Sequence, residues 1–263
     1  MIEMPSLNLE KVTEKTVSFI KDKTSEAGFK KAVLGLSGGI DSAVVAVSAS
    51  KALGAENVTG ILMPYKTSSR SSIEDALKIV EITGIDHKTI EITNAVDAIE
   101  SFNMEKSDHI KAVRLGNVMA RVRMITLFDF SSAKDALVLG TGNKSEIYLG
   151  YFTLFGDSAS AINPIADIYK TEIFKLAEFM EIPKEIISKP PSADLMEGQT
   201  DESEIGFRYA DMDRVIYGLI DLGLTPEQII EKGEDPHLVK SIEKRIISME
   251  YKRKIPITPG YGP

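Results

Sequence analysis

The residues of this chain with the most chemical potential stand in a short run, Ser37-Gly38-Gly39-Ile40-Asp41-Ser42, which follows the apolar segment Ala32 to Leu36. Two adjacent glycines admit backbone conformations that a Cβ would block, so successive N–H groups can converge on one anion. A helix beginning near Ser42 adds unpaired N–H donors and the positive end of its dipole. Ser37 and Ser42 supply hydroxyls on either side of the turn. Asp41 repels a phosphate unless a divalent cation lies between them, which makes it a candidate Mg²⁺ ligand. The pattern is not a Walker loop, because no lysine follows the glycines. A plain strand-to-helix turn explains a lone Gly-Gly; two hydroxyls and a carboxylate within the same six residues favour phosphate binding.

A second loop follows the apolar run Ala136 to Leu139. Gly140-Thr141-Gly142-Asn143 combines tight turning with polar side chains suited to a nucleotide, although a strand-ending turn explains its glycines equally well. Residues 150–164, rich in Gly, Ser, Ala and aromatics without a clear period, suit a loop over a site. Lys189-Pro190-Pro191 and the polar stretch to Ser203 read as a further irregular segment.

The elements that must position these loops alternate. Leu9, Val12, Thr16, Phe19 and Ile20 recur at helical spacing before the first strand. After the glycine turn come a helix to about Leu53, a strand over 58–63, a helix over 72–83 and a strand over 88–92. Helices near 95–103 and 106–130 precede the strand at 136, and a helix over 170–180 ends before Pro183. This order predicts a doubly wound, mainly parallel α/β sheet with helices on both faces, ligands gathering beyond the carboxyl ends of its strands, and a helical C-terminal region. We expect one domain over 1–263, with an α/β core over 1–187 and an irregular loop plus helices over 188–263. The stripe Ile205, Tyr209, Met212, Val215, Ile216, Leu219 and Ile220 suits a core or a subunit contact, and a homodimer is expected.

Composition narrows the function. With 263 residues and 43% hydrophobic content the chain can bury a large core, and a net charge of −8 argues against an electrostatic grip on nucleic acid. It has no cysteine, which excludes disulfides, thiolate metal sites and sulfur relay. No basic-then-apolar leader is evident at Met1, and no stretch is long enough to cross a bilayer, so a cytoplasmic location without membrane contact is expected.

The turn from Ser37 to Ser42 resembles the PP-loop of the ATP pyrophosphatases. Taken with 117–124 (NVMARVRM), 140–146 (GTGNKSE), 150–157 (GYFTLFGD), 191–195 (PSADL) and 250–256 (EYKRKIP), the chain resembles the ammonia-dependent NAD synthetases over nearly its whole length. That resemblance implies an adenine nucleotide alpha hydrolase-like fold and a ligase. In such an enzyme the nicotinate carboxylate of deamido-NAD attacks the α-phosphate of ATP, and ammonia then displaces AMP from the acyl-adenylate. Free ammonia, or ammonia from a separate protein, is expected, since a chain without cysteine has no thiol glutaminase. By matching position the resemblance assigns ATP to Ser37, Gly38, Gly39, Asp41, Ser42, Thr141, Lys170 and Ser192, and Mg²⁺ to Asp41 and Glu146. Lys170 and Asp157 become the catalytic candidates, Lys170 by neutralising the triphosphate and Asp157 by receiving ammonia or its proton. Deamido-NAD falls to Asn117, Arg121 and Lys252, with Tyr251 standing where relatives commonly carry histidine; Arg123 is expected to point elsewhere.

The ATP half of the pattern is intact, whereas relatives commonly have lysine at Leu154 and aspartate at Ala161. Two explanations stay open: a nearby residue such as Lys144 or Lys66 substitutes for the missing contact, or the chain is a divergent paralogue acting on another carboxylate. A PP-loop ligase adenylating another small carboxylate and a non-catalytic ATP-binding module are the two other readings, and acceptor-dependent pyrophosphate release separates them.

Overall fold

Short aliphatic runs build the sheet. In the computed structural model, which describes residues 1–101, 108–191 and 200–254, the chain runs α1 (Leu9–Glu26), β1 (Lys31–Gly35), α2 (Ile40–Leu53), β2 (Val58–Leu62), α3 (Arg70–Thr83), β3 (Asp86–Thr89), α4 (Thr93–Glu100), α5 (Asp108–Lys134) and β4 (Ala136–Leu139). It continues through α6 (Lys144–Leu149), α7 (Lys170–Phe179), α8 (Lys184–Ile187), α9 (Asp201–Ile205), α10 (Tyr209–Ile216), α11 (Pro226–Glu231) and α12 (Pro236–Ser248). All strand pairs are parallel, in the order β3-β2-β1-β4.

Alternation along β1 divides the core between the two faces of the sheet. Ala32 and Leu34 pack with buried residues of α2 and α7, whereas Val33 packs with Val96 of α4 and Met119 and Val122 of α5. Burial on both faces explains why β1, β2 and β4 are aliphatic rather than alternating. The edge strand β3 is the exception: Asp86, His87, Lys88 and Thr89 are all exposed, and their polar character discourages pairing with another chain. It lies earlier than the stretch 88–92 that the sequence suggests, because the apolar Ile90 and Ile92 continue the ladder through single bonds to Leu62 O and Pro64 O beyond the strand proper.

α5 reaches Lys134, four residues past the predicted end. Ser132 donates back to Phe128 O, and Asp135 then ends the helix in the left-handed region at φ 52°. The stripe on α10 behaves as core. Tyr209, Met212, Val215 and Ile216 pack with Leu149, Ile229, Leu238, Val239 and Ile242 of the same chain, so it is not a subunit contact.

The chain moves outward from β1 to β2 and β3, then returns to place β4 on the other side of β1. The switch point therefore lies between β1 and β4, where the loops after these two strands open a crevice.

Candidate active site

A cavity of about 560 Å³ occupies that switch point. Its floor is the turn after β1. Gly38 adopts φ +77°, and a Cβ there would lie 2.1 Å from Ser72 O at the start of α3. Gly39 is the N-cap of α2 and brings no side chain to it, so the first turn, whose residues Ile40, Asp41 and Ser42 line the cavity, lacks a built-in side-chain cap. The hydroxyls hold the turn closed. Ser42 Oγ donates to Gly39 O at 2.9 Å, Ser37 Oγ lies 3.2 Å from Ser42 Oγ, and Gly39 N donates to Ser37 Oγ.

The loop after β4 supplies the opposite wall. Asn143 caps α6 in a reciprocal box with Glu146, which puts that carboxylate in the first turn. The same Asn143 side chain reaches across to donate to Asp41 Oδ1 at 2.9 Å, so one fully buried amide ties the two loops together. Between the carboxylates lies Lys170, the first residue of α7 and 2% exposed. Its Nζ is 2.5 Å from Asp41 Oδ2 and 3.1 Å from Glu146 Oε1, with the Tyr209 ring 5.6 Å away.

The electrostatics follow from burial. Desolvation works against the Lys170 charge, but Asp41 and Glu146 outweigh it and hold its pKa above the ordinary lysine value. Glu146 is pushed up to about 7, first by desolvation and then by Asp41 and Asp201, with Lys170 opposing. Between about pH 4.5 and 7 the folded chain thus keeps a Glu146 proton that the unfolded chain has released, and this group makes stability fall as pH rises through that window. A cation taking this carboxylate must displace that proton. Its apparent affinity should therefore weaken toward about tenfold per unit as pH drops below about 7 and level off above it. Calorimetric Mg²⁺ titrations of the nucleotide-bound protein at about pH 6 and pH 8 measure this; equal affinities would remove Glu146 as a ligand.

Ser37, Gly39, Asp41, Ser42, Thr141, Glu146, Asp157 and Lys170 line the cavity together with Asn117 and Lys252. Asn117 accepts from Thr153 Oγ1 at 2.7 Å, and Asp157 accepts from Thr153 N–H at 2.9 Å, which folds the 150–157 loop against α5. Lys252 donates to Gly150 O and Phe152 O, so it clamps the same loop from the C-terminal side. Ser192 lies outside the described residues.

Arg123 departs from its expectation, and among the described residues four other candidate side chains lie outside the cavity wall. Arg123 lines the cavity and donates to Met63 O at 3.2 Å, whereas Arg121 is exposed, donates to Leu154 O and is not in the cavity wall. Tyr251 is 56% exposed and also outside the wall. Neither Lys144 nor Lys66 replaces the cation missing at Leu154: Lys144 pairs with Asp221 at 2.6 Å and Lys66 with Asp97 at 2.6 Å.

The wall also holds residues that the sequence reading passed over. Asp201, 4% exposed, accepts from Tyr209 Oη at 3.1 Å and is raised in pKa by its burial. Lys189 donates to Ser72 Oγ and pairs with Asp75 at 3.1 Å. The Thr200-Asp201 helix start was visible as a capping signal, but nothing local tells which way that short helix turns its acids.

This arrangement can hold a nucleotide triphosphate over the α2 N-terminus, with two carboxylates and a lysine grouped where its charge accumulates. The sequence profile of the NAD synthase family matches residues 12–256. An NH3-dependent NAD⁺ synthetase of Fusobacterium nucleatum is 51% identical over 251 residues, covering 95% of this chain and 96% of the relative. Among solved structures, the NH3-dependent NAD synthetase of Campylobacter jejuni superposes with a TM-score of 0.81 at 36% identity, over 96% of this chain and 99% of that one. The NMN synthetase of Francisella tularensis gives a TM-score of 0.84 at 33% identity, over 97% and 100%.

Proposed function

The chain belongs to the NAD synthase family, and from that premise we propose an assignment of its residues to an ATP-dependent amidation of deamido-NAD by ammonia. The enzyme is a ligase that forms a carbon–nitrogen bond, with ATP as co-substrate. The observation that carries the assignment is the convergence of Asp41, Glu146 and Lys170 above the glycine turn.

A carboxylate is a poor acyl donor in water, so the reaction first exchanges pyrophosphate for the substrate carboxylate on the α-phosphorus of ATP. Ammonia then attacks the acyl carbon, AMP leaves, and the nitrogen loses a proton. We assign the triphosphate to the first-turn N–H groups of α2, to Ser37 and Ser42, and to Thr141, all of which line or floor the cavity. Ser192 keeps an ATP-contact assignment by position in the sequence.

The donor set fits a divalent cation. Two carboxylates from separate loops already converge on one positive charge, the Lys170 ammonium, and Mg²⁺ commonly takes one or two carboxylates plus phosphate oxygens. Asp41 and Glu146 would hold the ion, and when bound it supplies charge neutralisation for the departing pyrophosphate. With an ion held by those carboxylates, the Lys170 ammonium would be available to pair with phosphate oxygens. The acceptor lies along Asn117, Asp157 and Lys252 in this reading, with Asp157 placed to accept the ammonia proton. Arg121 and Tyr251 remain rim contacts on the exposed side.

The homodimer keeps support from a different surface than the sequence suggested: Ile125 and Phe128 of α5 are 60% and 38% exposed, on the side of the helix that also carries Arg121. Sedimentation of the protein and of Ile125→Glu tests this, the variant being expected to run as a monomer. Among the described residues no helix is long and apolar enough to cross a membrane. The consumption of ATP supports a cytoplasmic site of action, and we read 1–263 as one synthetase domain.

The test of the reaction is pyrophosphate release from ATP with Mg²⁺, with deamido-NAD and ammonium each omitted in turn. NAD and AMP should appear in equal amounts only when both are present. Turnover that ignores deamido-NAD, or tight ATP binding without turnover, overturns the assignment. Nicotinate mononucleotide belongs beside deamido-NAD in this assay, because Leu154 and Ala161 alter the acceptor half.

A further inference from the structure

Asp213 is a carboxylate with no exposure to solvent, and it does not line the cavity. It sits on the apolar stripe of α10, between Met212 and Val215. Its Oδ1 accepts from Ser145 Oγ at 2.5 Å; its Oδ2 accepts from Thr171 N–H at 2.9 Å and from Thr171 Oγ1 at 2.8 Å. Ser145 Oγ in turn accepts from Lys170 N–H at 2.8 Å.

These partners are the chain neighbours of the two groups that matter most. Ser145 immediately precedes Glu146, and Thr171 immediately follows Lys170. A second carboxylate from the same region makes a similar link: Asp221 accepts from Lys144 Nζ at 2.6 Å, two residues before Glu146, and from Tyr169 Oη, the residue before Lys170. The N-termini of α6 and α7 are therefore fastened to each other through side chains of the C-terminal helical region, within one or two residues of Glu146 and Lys170.

We propose that Asp213 is a positioning residue for the cation-binding pair: it fixes how far the Glu146 carboxylate stands from the Lys170 ammonium, and so whether the loops can hold a metal and a triphosphate together. The proposal rests on the reading of Asp41 and Glu146 as the metal ligands. Burying a carboxylate is a costly way to pack three helices, and an apolar side chain of similar volume would do it at less expense. What an apolar residue does not do is accept three hydrogen bonds at once. Asparagine keeps the two bonds from Thr171 but would have to donate to Ser145 Oγ, which reverses that bond and leaves the Ser145 hydroxyl proton without its acceptor. Groups behind metal ligands typically change metal affinity by about 10–100-fold when lost, which sets the scale of the effect.

The experiment compares Asp213→Asn, Ser145→Ala and Thr171→Ala with Val215→Ala, a core change in the same helix. For each, the Mg²⁺ concentration giving half-maximal turnover is measured at saturating ATP, deamido-NAD and ammonium. Binding of Mn²⁺ with ATP is followed in parallel by electron paramagnetic resonance, which needs no turnover. Asp213→Asn should raise the Mg²⁺ requirement and weaken Mn²⁺ binding by about tenfold or more, while the KM for deamido-NAD stays within about twofold. Ser145→Ala and Thr171→Ala should shift the same two quantities in the same direction by smaller factors, and they carry the test should Asp213→Asn not fold. Val215→Ala should lower the melting temperature with neither quantity changed. If the Asp213, Ser145 and Thr171 variants lose stability but keep the parent's Mg²⁺ requirement, Asp213 is structural only and the proposal is overturned. Failure of the unmodified protein to bind Mn²⁺ with ATP would instead refute the cation site itself.

Discussion

Replacing Lys170 by methionine should lower turnover by about a thousandfold, the upper range for removing one preorganised charge from a reaction centre. The reason is visible without any ligand. Lys170 is 2% exposed and is the positive charge on which Asp41 and Glu146 converge. Methionine keeps much of the length and removes the charge, leaving two carboxylates facing each other across a desolvated gap. Breaking a buried pair in this way costs about 3–5 kcal/mol, because the surviving partners keep their desolvation penalty without compensation. Part of that cost is relieved by Glu146, whose pKa already stands at about 7 and should rise further once the lysine is gone. The diagnostic is cation rescue. In melting experiments Mg²⁺ should restore more stability to Lys170→Met than it adds to the parent, since the ion and the ammonium serve the same two carboxylates. A variant that turns over at near-parental rate, or whose melting temperature ignores Mg²⁺, removes Lys170 from the centre of the site.

Gly38→Ala should be the most damaging single methyl in the phosphate turn. Alanine at φ +77° carries the left-handed penalty, and its Cβ would stand 2.1 Å from Ser72 O and 2.9 Å from Ser72 C. Those are backbone atoms at the N-terminus of α3, so relief requires moving either that helix or the turn. The combined cost is about 2–4 kcal/mol from left-handed strain and overpacking. Because the turn orients the first N–H groups of α2, its displacement should also lower ATP affinity, and a loss of about two orders of magnitude corresponds to about 3 kcal/mol of binding free energy. Gly39→Ala is the matched control. Its φ is −92° and the nearest atom to an added Cβ is Ser37 Oγ at 3.3 Å, a side chain able to shift. Thermal melts and equilibrium ATP binding on the two variants should separate clearly; equal behaviour would mean that the close approach at Ser72 is not what the double glycine is for.

Both predictions use a site whose parts differ in how readable they were. The glycine turn, its two serines and Asp41 lie within six residues, and their meaning is local: a positive φ at Gly38, a cap without a side chain at Gly39, and a helix start. Glu146 was assigned by the resemblance alone, and its capping relation to Asn143 three residues earlier is a finding of the structure. Arg121 and Arg123 were not readable locally either. They are two positions apart on α5, and that helix carries apolar residues around its whole circumference, with Met119 and Val122 in the core, Met124 and Leu127 at the cavity, and Ile125 and Phe128 outside. A helix without a polar face gives no periodic signal of its rotation, so which arginine meets the cavity depends on what packs against it.

The stripe of α10 shows the same limit from the other side. Its amphipathic spacing predicted a buried face, but the choice between a partner subunit and the rest of the chain belongs to the packing, and α6, α11 and α12 cover it. Asp213 was present on that stripe as an acid among aliphatic residues, without any local sign of what would satisfy it. Its donors, Ser145 and Thr171, are 68 and 42 residues away.

By itself, then, the sequence determined the order of strands and helices, the phosphate turn, the chemical types of the site residues and the family. These depend on backbone conformation, capping and side-chain chemistry within a few residues of one another. Only the tertiary structure decided that Lys170 stands between Asp41 and Glu146, that Arg123 rather than Arg121 faces the cavity, and that α10 anchors the two loops from behind. Those facts are distances between segments far apart along the chain, and such distances are set by which apolar faces bury one another.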